Sequence, residues 1–210
     1  MRGTGIKAVG AVLALVVGAC SVGVASPSKP NTYYTCCNLW LQKDQASDVN
    51  YHVGMLLPLG TPVRIVDRGT RTITFRTQEG RTVTLVQEYG HRSEPFPSFV
   101  NKMLLTTDPK ARLADMPQHT RTSIQQGFVE PGMTREQVAM SLGPPATHRT
   151  ASWASPVWTF WYNRWASYEV MFDERGVVTE VAGLRKGALR MVTGPTRGEP
   201  VSQVQSSSKP

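Results

Sequence analysis

The sequence predicts an α+β protein: a small antiparallel β module at residues 33–97, then two helices laid over a three-stranded antiparallel meander at residues 107–186. Three observations predict it. Residues 132–145 read as a short helix with both ends marked. Residues 157–181 alternate around a set of aromatic side chains. Residues 33–88 hold several short runs rich in Thr, Val, Ile and Phe, separated by glycine-containing turns.

The first stretch of the chain has a different character. Arg2 and Lys7 precede an apolar run at residues 8–19, too short for a permanent transmembrane helix and laid out like an export signal. Its end, Leu15-Val16-Val17-Gly18-Ala19-Cys20, resembles the bacterial lipobox. Residues 1–19 would then be a lipoprotein signal peptide, with Cys20 as the lipidated first residue. Cleavage after Ala25, with Gly23 and Ala25 as the small residues, is the alternative. Each acyl methylene buried in a bilayer contributes ~0.8 kcal/mol, so several chains on Cys20 anchor the protein for good. Ser21 after the cysteine, rather than Asp, resembles lipoproteins forwarded to the outer membrane, so the expected location is its periplasmic face.

Removing residues 1–19 takes away Arg2 and Lys7 and lowers the formal charge from +8 to +6. An exported chain with that balance suits an anionic lipid or an acidic protein face, and no pattern for nucleic-acid base readout is present. Cys36 and Cys37 are adjacent. They read as two small, partly buried thiols, while an oxidising periplasm also allows a vicinal or intermolecular disulfide.

Taken in order, residues 20–32, with Pro27, Pro30 and several serines, read as a flexible tether. Strands are expected at residues 33–41, 63–66, 72–77 and 82–88, with Arg68-Gly69 and Glu79-Gly80 as turns. Residues 54–62 look like an apolar loop feeding the second strand, and an SH3-like barrel is one closure these strands allow. Gly90, Pro95 and Pro97 mark the expected boundary between modules. Asp108-Pro109 supplies N-cap and first-turn residues for a helical stretch that breaks at Pro117, resumes toward Gln126 and stops at Gly127, with Leu113, Met116 and Ile124 inward.

The next helix is the most sharply bounded. Thr134 and Gln137 match a capping box, Met133 can staple onto Val138, and Glu136 suits the helix dipole. Gly143 can take a left-handed position, and Pro144 and Pro145 forbid continuation. Val138 and Leu142 make an apolar stripe too short to stand alone. Strands at residues 157–162, 167–173 and 177–181 follow, with Trp158, Phe160 and Tyr162 on one face, Val170 and Phe172 across from them, and Val138 and Leu142 above. Residues 187–210 read as a disordered tail.

Gly132-Met133-Thr134, Gln137-Val138, Leu142-Gly143-Pro144-Pro145, the strand from Trp158 to Tyr162, and Tyr168-Glu169-Val170-Met171-Phe172-Asp173 with Gly176-Val177-Val178 together resemble the SmpA/OmlA domain of BamE-like outer-membrane lipoproteins. The resemblance covers residues 124–183. It implies a two-helix, three-stranded domain facing the periplasm that binds and stabilises the β-barrel assembly machinery, or otherwise supports envelope integrity, and performs no chemistry. The amino-terminal module and the tail depart from that pattern.

No catalytic or metal constellation is visible. His52, His91, His119 and His148 lack ligand spacing, and there is no nucleophile elbow, phosphate loop or paired carboxylate site. No cofactor is expected. A three-stranded sheet with helices on one face leaves its other face open, and alternation places Trp161 there. Trp161, Trp165 and Met171 are therefore the candidate partner-binding residues. The expected function is that of a lipid-anchored, non-catalytic scaffold whose partners are outer-membrane assembly components or other envelope proteins. The alternative is a protein inhibitor of an exported enzyme.

Overall fold

A computed structural model of the chain describes residues 32–194. The expected signal peptide, Cys20, the tether up to residue 31 and the tail from residue 195 lie outside the described residues. The first half contains β1 (Tyr33–Thr35), β2 (Leu39–Leu41), β3 (Gln45–Ser47), β4 (Met55–Leu57), β5 (Pro62–Arg68), β6 (Thr72–Thr77), β7 (Thr82–Val86), α1 (Phe96–Met103) and β8 (Leu104–Leu105). After a 3-10 turn at Pro109–Leu113, the second half contains α2 (Gln118–Gln126), α3 (Arg135–Leu142), β9 (Val157–Asn163), β10 (Ala166–Phe172), β11 (Val178–Ala182) and α4 (Lys186–Thr193). The protein is α+β, as expected.

In the first half, alternation along β5, β6 and β7 turns Val63, Ile73, Phe75, Val83 and Leu85 into one core. These strands belong to a six-stranded sheet ordered β3-β7-β6-β5-β1-β8, antiparallel except where β3 runs parallel to β7. Three expectations change here. Residues 33–41 do not form one strand: Cys36, Cys37 and Asn38 interrupt it, leaving β1 in the large sheet while β2 pairs with β4 in a separate ribbon. The 54–62 segment is thus partly strand. The module also continues past residue 97 to Leu105. Pro95 is the N-cap of α1 and Pro97 lies in its first turn, where a missing N–H costs no hydrogen bond, so the prolines start a helix rather than end a domain. Phe99, Val100 and Met103 of that helix join the module's core.

In the second half the expected elements form. Asp108 caps the 3-10 turn, and Gly127 ends α2 in the left-handed region, where a Cβ would meet the Trp40 ring at 2.9 Å. Thr134 and Gln137 make both bonds of the capping box on α3. Gly143 has φ +92° but ψ 165°, a conformation beyond the left-handed helical region that only glycine reaches easily. The sheet order is β11-β10-β9, with Val170 opposite Trp158 and Tyr168 opposite Phe160. These side chains share a core with Met133, Val138 and Leu142. The start of α3 is sewn to the sheet as well: Gly132 N and Met133 O both bond Val178, and Arg135 N donates to Gly176 O. The expectation of two helices and a structureless tail from residue 187 does not hold. α4 folds back, buries Val192 in the same core, and accepts a bond at Val192 O from Val129 N.

The two halves are joined by two buried asparagines. Asn38 donates its backbone N–H to Met140 O and its side-chain amide to Ser141 O and Ile124 O, while its Oδ1 accepts from Leu59 N at 3.0 Å. Asn50 donates to Leu142 O at 2.8 Å and to Asn38 O at 2.9 Å, and accepts from Trp40 N. The last four carbonyls of a helix have no partner within it. Here Ala139 O is taken by Gly143 N, and the other three by Asn38 and Asn50. The first half of the chain therefore supplies the carboxy-terminal cap of α3.

Replacing Asn38 by Ala strands Leu59 N and Ser141 O in the interior, while Ile124 O keeps its bond from Gly127 N. At ~1–3 kcal/mol for each unpaired buried group, Asn38→Ala should lose about 2 kcal/mol or more in urea denaturation. A loss below about 1 kcal/mol would contradict the clamp.

Candidate functional site

The seam held by the asparagines continues through His52. Its backbone N–H donates to Trp161 O at 3.2 Å, and its ring, fully enclosed, lies among Trp40, Phe160 and Tyr168. His52 Nδ1 and Tyr168 Oη share a hydrogen bond of 2.5 Å. Burial disfavours a charge on either ring. It holds the imidazole pKa down to about 3 against an opposing bond to the Leu142 carbonyl, and it pushes the Tyr168 phenol well up. Both groups are neutral at pH 7, so the pair acts as a polar fastener inside an apolar seam.

Outside this buried pair, an aromatic row runs along the surface of the same seam. Tyr51 and Tyr89 bond through their hydroxyls at 2.9 Å. The Tyr89 ring lies against His148 with centroids 5.8 Å apart, and His148 lies against Trp161 at 5.2 Å, with interplanar angles of 30° and 24°. The row thus takes two tyrosines from the first half, a histidine from the 144–156 segment and a tryptophan from β9. Asp48 fixes its tyrosine end by accepting from Tyr89 N and Gly90 N. Burial and the hydroxyl bond to Tyr89 push the Tyr51 phenol well above its ordinary range. Burial also lowers His148, with Arg149 acting the same way and Asp48 against it.

The three residues expected to bind a partner are not brought together. Trp161 is half-buried at the end of the aromatic row. Trp165 lies in the turn between β9 and β10 and is 86% exposed, with the Arg164 guanidinium over its ring. Met171 pairs with Val157, four residues along the strand from Trp161, which is about 13 Å at strand spacing. The sheet face they were expected to share is not an apolar patch. Ser167, Glu169 and Glu180 stand exposed on it, and at the free edge of β9 the Thr150 hydroxyl accepts from Thr159 N at 3.2 Å. Trp161 and Trp165 belong to the same β9–β10 hairpin end, whereas Met171 belongs to a different part of the sheet.

Cys36 and Cys37, read as two thiols, are bonded to each other. Among the described residues, no three His, Cys, Asp or Glu side chains gather where they could hold a metal ion, and no helix is long and apolar enough to cross a membrane. No signal short of the fold marks Tyr51, Tyr89 or His148 as neighbours of Trp161, since they come from separate segments. No family model, no curated protein and no solved structure matches the chain.

The unfolded chain protonates His52 below about pH 6.5, while the folded chain resists to about pH 3. Stability from this group is complete above pH 6.5 and falls as the pH drops toward 3, at about 1.4 kcal/mol per pH unit. Between pH 7 and pH 5 urea denaturation should show a loss of about 2 kcal/mol from His52. His52→Gln should remove most of that slope, and an unchanged slope would contradict this account.

Proposed function

We propose that the chain is a lipid-anchored envelope protein, held by Cys20 at the periplasmic face of the outer membrane. There it acts as a non-catalytic binding and scaffold module in outer-membrane protein assembly or envelope integrity. Its carboxy-terminal half is proposed to be a BamE-like domain. Support comes from the lipobox-like end of the apolar leader and from the order of capped helix, aromatic strand and meander.

The observation that carries the binding role is Trp165. An indole left in water forgoes roughly 1.5–3 kcal/mol of burial, yet this one stands almost fully exposed at the tip of the β9–β10 hairpin. Tryptophan and arginine are the side chains most enriched where protein partners meet, and Arg164 and Trp165 occupy that tip together. Partners of this tip would be outer-membrane assembly components or other envelope proteins.

Affinity capture from membranes tests the reading. Trp165→Ala should leave stability within about 0.5 kcal/mol and weaken partner capture roughly 30-fold, as the loss of a central tryptophan does. Trp161→Ala should also cost stability, because its ring closes the aromatic row. Capture that survives Trp165→Ala unchanged would overturn the assignment. Mass spectrometry of the mature amino terminus tests the anchor: acylated Cys20 supports it, while a free Ser26 favours a secreted inhibitor.

A further inference from the structure

Between Leu59 of the first half and α2 of the second lies a cleft of about 500 Å³, within the range of small-molecule sites. Its floor is apolar: Leu59 and Leu113 are buried there, with Pro58 beside them. Lys110 comes to it from the 3-10 turn, and Arg121 and Gln125, four residues apart on one face of α2, form the opposite rim. None of the residues lining it is acidic. Arg121 spends its visible bonds on neutral acceptors, the Ala114 carbonyl and Gln118 Oε1. Lys110 forms no salt bridge among the described residues, and Glu79, whose titration feels its charge, does not line the cleft. The Asn38 amide at the back is wholly taken up by Ile124, Ser141 and Leu59.

A cleft with a greasy floor and, at its lip, two cations that make no ion pair among the described residues matches a ligand with an apolar body and one anionic end. We propose that it binds an aliphatic monocarboxylate, its chain over Leu59 and Leu113 and its carboxylate between Lys110 and Arg121, with the Gln125 amide as a further donor. A carboxylate there replaces solvent around both cations with charge-assisted hydrogen bonds. A neutral chain of equal length gains only the apolar contact. The site is separate from the Trp165 tip, so partner capture and carboxylate binding stand or fall independently.

The test is calorimetric titration of the protein with decanoate below its micelle concentration, beside decanol and decyltrimethylammonium. Methyl NMR of Leu59 and Leu113 reports the location. Decanoate should saturate a single site and shift both methyls, decanol should bind at least about tenfold more weakly, and the cation should not bind. Lys110→Gln with Arg121→Gln replaces an exposed and a half-buried residue. It should weaken decanoate about tenfold or more, the equivalent of losing one charge-assisted contact, and leave decanol unchanged. The proposal is overturned by no saturable binding, by decanol binding as tightly as decanoate, by decanoate affinity that survives the double variant, or by methyls that do not move.

Discussion

The carboxy-terminal carbonyls of α3 are the constraint on which the rest of the molecule depends. A helix of eight residues is unstable in isolation, and this one carries a local side-chain cap only at the amino end. There the capping box and the pairing of Gly132 and Met133 with Val178 bind it to the sheet. At the other end, Met140, Ser141 and Leu142 hand their carbonyls to Asn38 and Asn50. α3 is thus strung between the meander and the β module, and neither half is complete without the other. Gly143 belongs to the same constraint, since a Cβ there would meet Asn50 Nδ2 at 3.1 Å.

That arrangement separates what was legible in the sequence from what was not. Local chemistry was readable: Thr134 with Gln137, Asp108 with Pro109, Gly127 as a stop, and the alternation that puts Trp158, Phe160, Val170 and Phe172 on one face. Elements whose reason lies far along the chain were not. Asn38 sits inside what looks like one continuous strand, and only its partners at Ile124 and Ser141 explain why the strand breaks there. Pro95 and Pro97 look like breakers until the fold shows them opening α1. α4 is short, yet Val192 and Leu189 pack it against the core and Val129 N bonds Val192 O.

The candidate site divides the same way. Alternation correctly puts Trp161 on the face opposite Trp158, and sequence proximity puts Trp165 beside it at the hairpin end. Alternation has no knowledge of the 144–156 segment, however, which bonds Thr159 N at the edge of β9 and brings His148 to Trp161. Nor does strand pattern report distance along a strand, so Met171 shared a face with Trp161 without sharing a site. The cleft rimmed by Lys110 and Arg121 was invisible for the same reason: its floor comes from Leu59, and its rim from residues some fifty positions later.

The asparagine clamp also has a consequence for the order in which the protein is made. Asn38 and Ser141 lie 103 positions apart, so a nascent chain presents both asparagines long before the carbonyls that receive them exist. Contacts of such long range slow folding, and a chain halted anywhere short of Leu142 carries an amino-terminal module with its polar seam open to water. The polar seam therefore closes late, only after the chain has grown past Leu142.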